Sequence, residues 1–232
     1  GTYGQYSVEG GVTAPLTDTL SMRIAGRAYG QNGYVRNDLT GDDGPHQRDW
    51  IGRASVLWEP IANFTSHLRV DRGRIRDRES NPVELIGCPP AGLAASGLCA
   101  RYLVENGGSV DDALDRHRVG YPSRYEYDFV EVVWKNEVRL GDHSLAATTG
   151  YFDHKVSMMS DMFPLAITGA ANSTTLLTVG QSEKYHNFSQ ELRLISPEGQ
   201  RFSYIIGAYY SEGKIDNVGR NGYHFLPFGA MV

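Results

Sequence analysis

Apolar and polar side chains alternate along this chain in stretches of about ten residues. Near its start, Val8, Val12 and Leu16 occupy even positions, and Glu9 and Thr13 lie between them. Successive side chains of a β-strand point to opposite faces, so this period of two predicts strands with one apolar and one polar face. Turn-forming residues interrupt the alternation near 17–18, 61–63, 141–142 and 198–200, where tight turns are expected.

The alternation predicts about eight strands in four hairpins. They cover about 5–16, 19–29, 48–59, 64–72, 125–140, 143–155, 184–196 and 201–213. Connections within hairpins are predicted to be two to four residues long, whereas 30–47, 75–123 and 156–183 join one hairpin to the next. Long connections are uncommon in compact soluble domains, but outer-membrane barrels combine short periplasmic turns with long external loops. The predicted fold is therefore all-β, an antiparallel transmembrane β-barrel.

Aromatic residues lie near both ends of the predicted strands, as interfacial residues of a barrel do. Those beside the short turns are Trp58, Phe64 and Phe202, and those towards the long loops are Tyr29, Trp50, Tyr127, Tyr151 and Tyr210. The apolar face between these two girdles is expected to contact lipid.

Charged residues occupy the opposite, polar face, which is predicted to face the lumen. They are Glu9, Arg23, Arg27, Arg53, Arg69, Glu131, Glu137, Arg139, Glu191 and Arg193. They could line a path for a charged solute. The favoured interpretation is a ladder of cross-strand ion pairs that holds the barrel wall together.

Composition and charge narrow the possible classes of protein. The 232 residues carry 22 basic and 27 acidic side chains, for a net charge of −5. Because no basic stripe stands out, nucleic acid is not expected as a partner. Mean hydropathy is −0.37 and no apolar run approaches 20 residues, so no transmembrane helix is predicted. Catalytic sequence motifs are absent and the seven histidines are scattered, so neither an enzyme nor a metal or other cofactor is predicted.

The connection at 75–123 contains both cysteines. Cys88 and Cys99 lie in the segment CPPAGLAASGLC, which favours a disulfide in an oxidising compartment, with two free thiols as the alternative. Capping signals at Ser96 and Ser109 predict two short helices, the first ending near 106 and the second covering 110–118.

Several aromatic and basic residues assigned to the long connections are candidates for contacting a ligand from outside. They are Tyr34, Arg36, Arg76, Tyr102, Arg124 and Tyr223. Residue type and position are their only support, since loop tyrosines and arginines are common without any ligand.

Particular strings resemble the barrel region of TonB-dependent outer-membrane receptors. They are VEGGVTAPLTDTLSMRIAGRAYGQNGYVRN, RASVLWEP, NFSQELRLISPEGQ and FSYIIGAYYSEG. In that family an early strand ending in G-P-L precedes a strand reading L-x-x-R, and a later strand reads F-S-Q-E-L-R-L. Here Ala14 replaces the glycine, while 20–23 and 188–194 match as they stand. The resemblance covers nearly all strand regions in order and fades in the long connections.

The resemblance implies part of a barrel of about 22 strands in the outer membrane of a Gram-negative bacterium. Residues 1–232 would all belong to that barrel, with an N-terminal plug domain and the C-terminal strands missing. The implied partners are TonB, reached through the missing N-terminal region and acting with ExbB and ExbD, a small-molecule or chelate cargo, and outer-membrane lipid. An iron-siderophore is the first expectation for the cargo, with cobalamin and saccharides as alternatives.

Three other classes of protein share some of these features. A passive porin-like barrel has the same alternation but lacks a plug, and a soluble β-sandwich binding module alternates but requires no membrane. A β-rich enzyme has the least support, because no nucleophile, acid pair or metal cluster is recognisable.

Overall fold

The computed structural model describes residues 2–37, 41–79, 116–117, 123–161, 167–169, 172–174 and 177–223. Its main feature is one antiparallel sheet of eight long strands. They are β1 (Tyr6–Thr17), β2 (Leu20–Gln31), β5 (His46–Ile61), β6 (Phe64–Arg78), β8 (Arg124–Leu140), β9 (His143–Asp161), β12 (Leu177–Ile195) and β13 (Ile205–Tyr223). Each pairs with its neighbours along the chain, and within the described residues β1 and β13 leave the sheet open at both edges.

Five short strands lie in the connections between the long hairpins. They are β3 (Val35–Asn37), β4 (Asp43–Gly44), β7 (Arg116–His117), β10 (Ile167–Gly169) and β11 (Asn172–Thr174). β3 pairs with β4 and, in parallel, with β7, so two connections distant in sequence meet. A 3-10 turn at Thr2–Gly4 precedes the sheet.

The eight predicted strands are confirmed, but several extend further towards the long connections than the alternation indicated. β6 runs to Arg78, β9 to Asp161 and β13 to Tyr223, and β12 begins at Leu177. In this region both faces of the strands carry polar residues, so the sequence loses its period although the backbone ladder continues.

Three hairpins have the short turns that the sequence predicted, and the fourth does not. Two residues connect the strands at 18–19, 62–63 and 141–142, whereas 196–204 separate β12 from β13. Ser196 stabilises this longer connection, because its N–H donates to the Tyr204 carbonyl and its Oγ accepts from the Tyr204 N–H, both at 2.9 Å. The predicted start of the last strand at 201 is therefore wrong.

The predicted helix at 110–118 is wrong at its end, since Arg116–His117 is a strand beside β3. The rest of that helix, the helix predicted from Ser96, and both Cys88 and Cys99 lie outside the described residues.

Register assigns each side chain to one face of the sheet. Val12, Ile24, Ala54, Val70 and Val132 are successive cross-strand partners and therefore share a face. We call it the apolar face. Its large side chains are well exposed, at 65% for Val12 and 48% for Trp134, and the Trp134 indole N–H donates to Ser66 Oγ at 2.9 Å. The sheet has no second layer over this face among the described residues.

The apolar face ends at a boundary that shifts from strand to strand. Apolar residues continue to Trp50 in β5, but to Tyr151 in β9 and Tyr210 in β13, beyond which come Asp153 and Glu212. The row of cross-strand partners that starts at Trp50 in β5 reaches Asp216 in β13. The boundary at Tyr210 lies three same-face positions closer to the short turns than Asp216 does.

This shift has the size expected of strands that cross a flat apolar layer obliquely. Three same-face positions span about 20 Å along a strand, and the five strand spacings from β5 to β13 span about 24 Å across the sheet. Their ratio corresponds to a tilt of about 40°, within the 35–45° of transmembrane barrels. The tight turns after Thr17, Ile61 and Leu140 are displaced in the same direction from one hairpin to the next, relative to the rows of cross-strand partners. Both limits of the apolar layer are thus oblique to the hydrogen-bonded rows.

Candidate functional site: an aromatic and acidic wall

The polar face contains all ten charged residues for which the sequence predicted a lumen position, because the register gives them one orientation. Several form the expected ladder. Arg53 Nε contacts Asp71 Oδ1 at 2.5 Å, Arg69 Nε contacts Asp71 Oδ2 at 2.8 Å, and Arg69 Nη2 contacts Glu131 Oε2 at 2.5 Å. Asp71 is only 3% exposed, so both arginines compensate a buried carboxylate.

Other members of the ten contact their own strand, a neighbouring strand or the turn of a neighbouring hairpin. Arg193 pairs with Glu191 at 2.6 Å, Arg139 donates to the Ala62 carbonyl at 2.5 Å, and Arg23 donates to Thr13 Oγ1 at 2.9 Å. These contacts stabilise strand pairing and the turn at 62–63. A lumen position for this face stays a prediction.

Five ring-bearing side chains from β8, β9 and β12 adjoin one another on the polar face, and we call them the aromatic wall. They are Tyr127, Phe129, Phe152, His154 and Tyr185. Ring centroids are 5.5 Å apart for Tyr127 with Phe129 and with His154, and 5.4 Å for His154 with Phe152 and with Tyr185. These separations lie in the range of favourable aromatic contacts.

His154 joins the aromatic wall to a carboxylate. Its Nε2 lies 2.8 Å from Glu183 Oε1, and the Asn217 side-chain amide donates to Glu183 Oε2 at 3.0 Å. These bonds fix the Glu183 carboxylate at the edge of the aromatic wall, on the side of the long connections.

A second acidic feature adjoins the aromatic wall on β5 and β6. Asp49 and Asp77 lie diagonally across the strand pair, since Asp49 is opposite Ile75 and Gln47 is opposite Asp77. Gln47 donates to Asp49 Oδ2 at 2.7 Å. Asp77 lies beyond the apolar layer, one residue from the end of β6, where burial and then the nearby charge of Asp49 raise its pKa to about 6.

A cavity of about 370 Å³ opens beside these carboxylates. Tyr29, Gln47, Asp49, Ile51 and Ile75 are among the residues that line it, and Arg27 supplies its basic group. The end of the polar face near the long connections therefore combines aromatic rings, aliphatic surface and carboxylates. This combination suits a ligand that has an apolar part and is neutral or positively charged there.

The ligand-contact candidates that the structure describes lie on different elements and do not form one site. Tyr34 contacts the Tyr3 ring at 5.3 Å and Arg36 pairs with Asp43 at 3.9 Å, both before β5. Arg76 and Arg124 belong to β6 and β8, not to a loop, and share the apolar face's side of the sheet. Tyr223 is the last residue of β13, and Tyr102 lies outside the described residues.

The sequence pattern did not predict the aromatic wall. It placed Tyr29 and Tyr127 in the outer girdle, which is wrong, because the register puts both on the polar face. The usable signal was their odd numbering, which falls in the polar phase of the alternation in β2 and β8. Trp50, Trp58 and Tyr151 do lie on the apolar face.

The described residues contain neither a metal-binding cluster nor a helix that could span a membrane. No group of three or more histidine, cysteine, aspartate or glutamate side chains in them could hold a metal ion. No helix in them is long and apolar enough to cross a membrane.

Comparison with known proteins gives a match in structure only. No protein-family model matches the chain, and no curated protein is significantly similar to it. The crystal structure of the ferric yersiniabactin uptake receptor FyuA from Yersinia pestis matches with a TM-score of 0.69 and 12% sequence identity. The match covers 96% of this chain and 30% of that one.

A second solved structure, the copper transporter OprC, is 9% identical and has a TM-score of 0.26, with 96% of this chain and 42% of that chain covered. A score this low carries no argument. The likeness to FyuA shows the fold alone: the sheet corresponds to an open part of an antiparallel β-barrel.

Proposed function

We propose that the chain is part of the barrel of an outer-membrane receptor that imports a scarce solute with energy coupled through TonB. The observation that carries this proposal is the oblique apolar layer on one face of the sheet, opposite a face of ion pairs and rings. A sheet with lipid on one side and a wet interior on the other has this distribution. The fold supports a receptor barrel, of which this chain spans 30% in the FyuA match.

Capture of the cargo is assigned to the aromatic wall and the neighbouring carboxylates. They lie at the end of the sheet near the long connections, which are external in barrels of this type. Rings bind apolar and aromatic groups by dispersion and stacking, and Asp49 and Glu183 disfavour an anion. An iron-siderophore remains the first cargo to test, and a chelate without excess negative charge fits this wall best.

Energy coupling is assigned to regions outside this chain. A barrel wall holds no energy source of its own, so TonB, acting with ExbB and ExbD, would drive release through a plug domain. We assign the wall against which a plug packs to the part of the polar face that lies behind the apolar layer, where Arg53 and Arg69 pair with the buried Asp71.

Uptake in cells tests the proposal. Cells that carry the intact protein are supplied with candidate cargoes, among them ferric siderophores, in strains with and without TonB. Uptake that requires both the protein and TonB is expected. Uptake that persists without TonB would favour a passive porin, and a protein that stays in solution without detergent would favour a β-sandwich module.

A further inference from the structure

Three pairs of basic residues face each other directly across neighbouring strands of the sheet. The register places Arg48 opposite Arg76, Arg78 opposite Arg124, and Lys155 opposite Lys184. We call these six residues the basic belt. Like charges directly opposite one another are destabilising, so three such pairs in one region require an explanation.

The basic belt lies on the outward side of the sheet, just beyond the apolar layer. In β9, for example, Tyr151 is the last apolar residue of that face, and Asp153 and Lys155 follow on the same side. Lys155 thus lies about 13 Å along the strand from Tyr151, or roughly 10 Å further from the membrane centre once the tilt is included. This is the depth of lipid headgroups, and lysine and arginine can bend towards them.

Acidic neighbours compensate only part of this charge. Asp128 is held by Arg74 at 2.6 Å and by Arg76 at 2.9 Å, and Glu126 lies 3.4 Å from Arg76. Lys155 is opposite Asp128 on its other side, and Lys184 is opposite Asp216. Asp128 is already held by the two arginines, so Asp216 is the nearest acidic partner left for the two lysines. Within the described residues Lys155 and Lys184 form no ion pair, and both are exposed.

We propose that the basic belt binds the phosphate groups of anionic lipids in the leaflet on the side of the long connections. A phosphate between Lys155 and Lys184 would turn their mutual repulsion into two attractive contacts, and guanidinium groups of the belt would bind further phosphates. The inference rests on the membrane location in the proposed function, and it is independent of cargo and of TonB.

The test uses the intact protein, purified in neutral detergent without phosphate. Bis-phosphorylated lipid A is added, and binding is followed by native mass spectrometry and by the shift of the melting temperature. The double variant Lys155→Gln/Lys184→Gln is compared with Arg23→Gln/Lys135→Gln, which removes the same charge from the polar face. Lipid A without phosphates and inorganic phosphate serve as alternative ligands.

Each basic residue near an anionic surface contributes about a factor of five in affinity. The belt variant should therefore bind lipid A about 25-fold more weakly, and the control variant should bind as the parent does. In lipid-free detergent the belt variant should be about as stable as the parent, because losing the repulsion between the lysines offsets losing their attraction to Asp128 and Asp216. A merely structural role for the two lysines predicts a loss of stability instead.

Equal lipid binding by both variants would overturn the inference, and so would equal binding of dephosphorylated lipid A. Inorganic phosphate that competes at equal concentration would assign the site to a free anion. Loss of an oligomer in the belt variant, without any dependence on lipid, would assign it to a second copy of the protein. A protein that remains soluble without detergent would refute the proposed function itself, which separates that failure from failure of the belt.

Discussion

The ring of Phe129 on β8 lies over Gly73 on β6, where a Cβ atom would overlap it. The two residues are directly opposite in the register, so the missing side chain of Gly73 provides the space in which the aromatic wall begins. Ile51 on β5 approaches the same space and would lie 3.2 Å from that Cβ.

The first prediction follows from this contact. Gly73→Leu should displace Phe129, lower the free energy of unfolding by about 1–3 kcal/mol, and weaken cargo binding. Gly52→Leu is the matched control, since no atom lies within 4 Å of a Cβ there. Thermal unfolding in detergent and a cargo titration measure both effects. Equal behaviour of the two variants would contradict the role of the wall.

The second prediction concerns the two faces. Spin labels at Val8, Ile24, Val56 and Val132 in the intact protein should be reached by lipid-soluble oxygen. Labels at Glu9, Arg23, Arg53 and Glu131 should be reached instead by a water-soluble quencher, because the register places them on the polar face. Electron paramagnetic resonance in vesicles measures both accessibilities. The same accessibility on both faces would refute the membrane orientation.

The third prediction compares two carboxylates that each contact two arginines. Asp71 is 3% exposed between Arg53 and Arg69, so Asp71→Asn should cost about 3–5 kcal/mol. The side chain of Asp128 is 31% exposed beside Arg74 and Arg76, and Asp128→Asn should cost about 1 kcal/mol or less. Chemical denaturation of both variants measures the difference. Similar costs would show that burial is not what makes Asp71 important.

The fourth prediction concerns pH. The pKa of Asp77 is raised to about 6, so the folded state holds this proton more tightly than the unfolded state, in which the pKa is 3.8. Stability should fall as the pH rises from about 4 to above 6. Asp77→Asn should therefore stabilise the protein above pH 6 and change little near pH 4. Melting temperatures across this range test it, and a parallel pH dependence of variant and parent would argue against Asp77 as the source.

The fifth prediction is that Cys88 and Cys99 form a disulfide in the mature protein. Both lie outside the described residues, so the prediction rests on their spacing and on the expected external side of that connection. Mass spectrometry without reductant should find the two cysteine peptides linked. Free thiols on the folded protein would refute the bond and weaken the external assignment.

The sequence by itself determined the strands and most of their faces. Alternation needs no knowledge of partners, because the pleat of one strand already sends successive side chains to opposite sides. Val12 and Glu9 could therefore be assigned to different faces before any pairing was known, and three of the four turns followed from their local residues. The alternation failed beyond Arg72, where Arg74 and Arg76 alternate with Ile75 and Asp77 and leave no apolar phase to follow.

Only the tertiary structure decided which side chains meet. The aromatic wall combines residues from β8, β9 and β12, and the opposition of Lys155 and Lys184 depends on the register between β9 and β12. A shift of one residue in that register would separate these pairs and change no local pattern in the sequence. Backbone ladders between segments distant in sequence define the register, so no single stretch of the chain contains it.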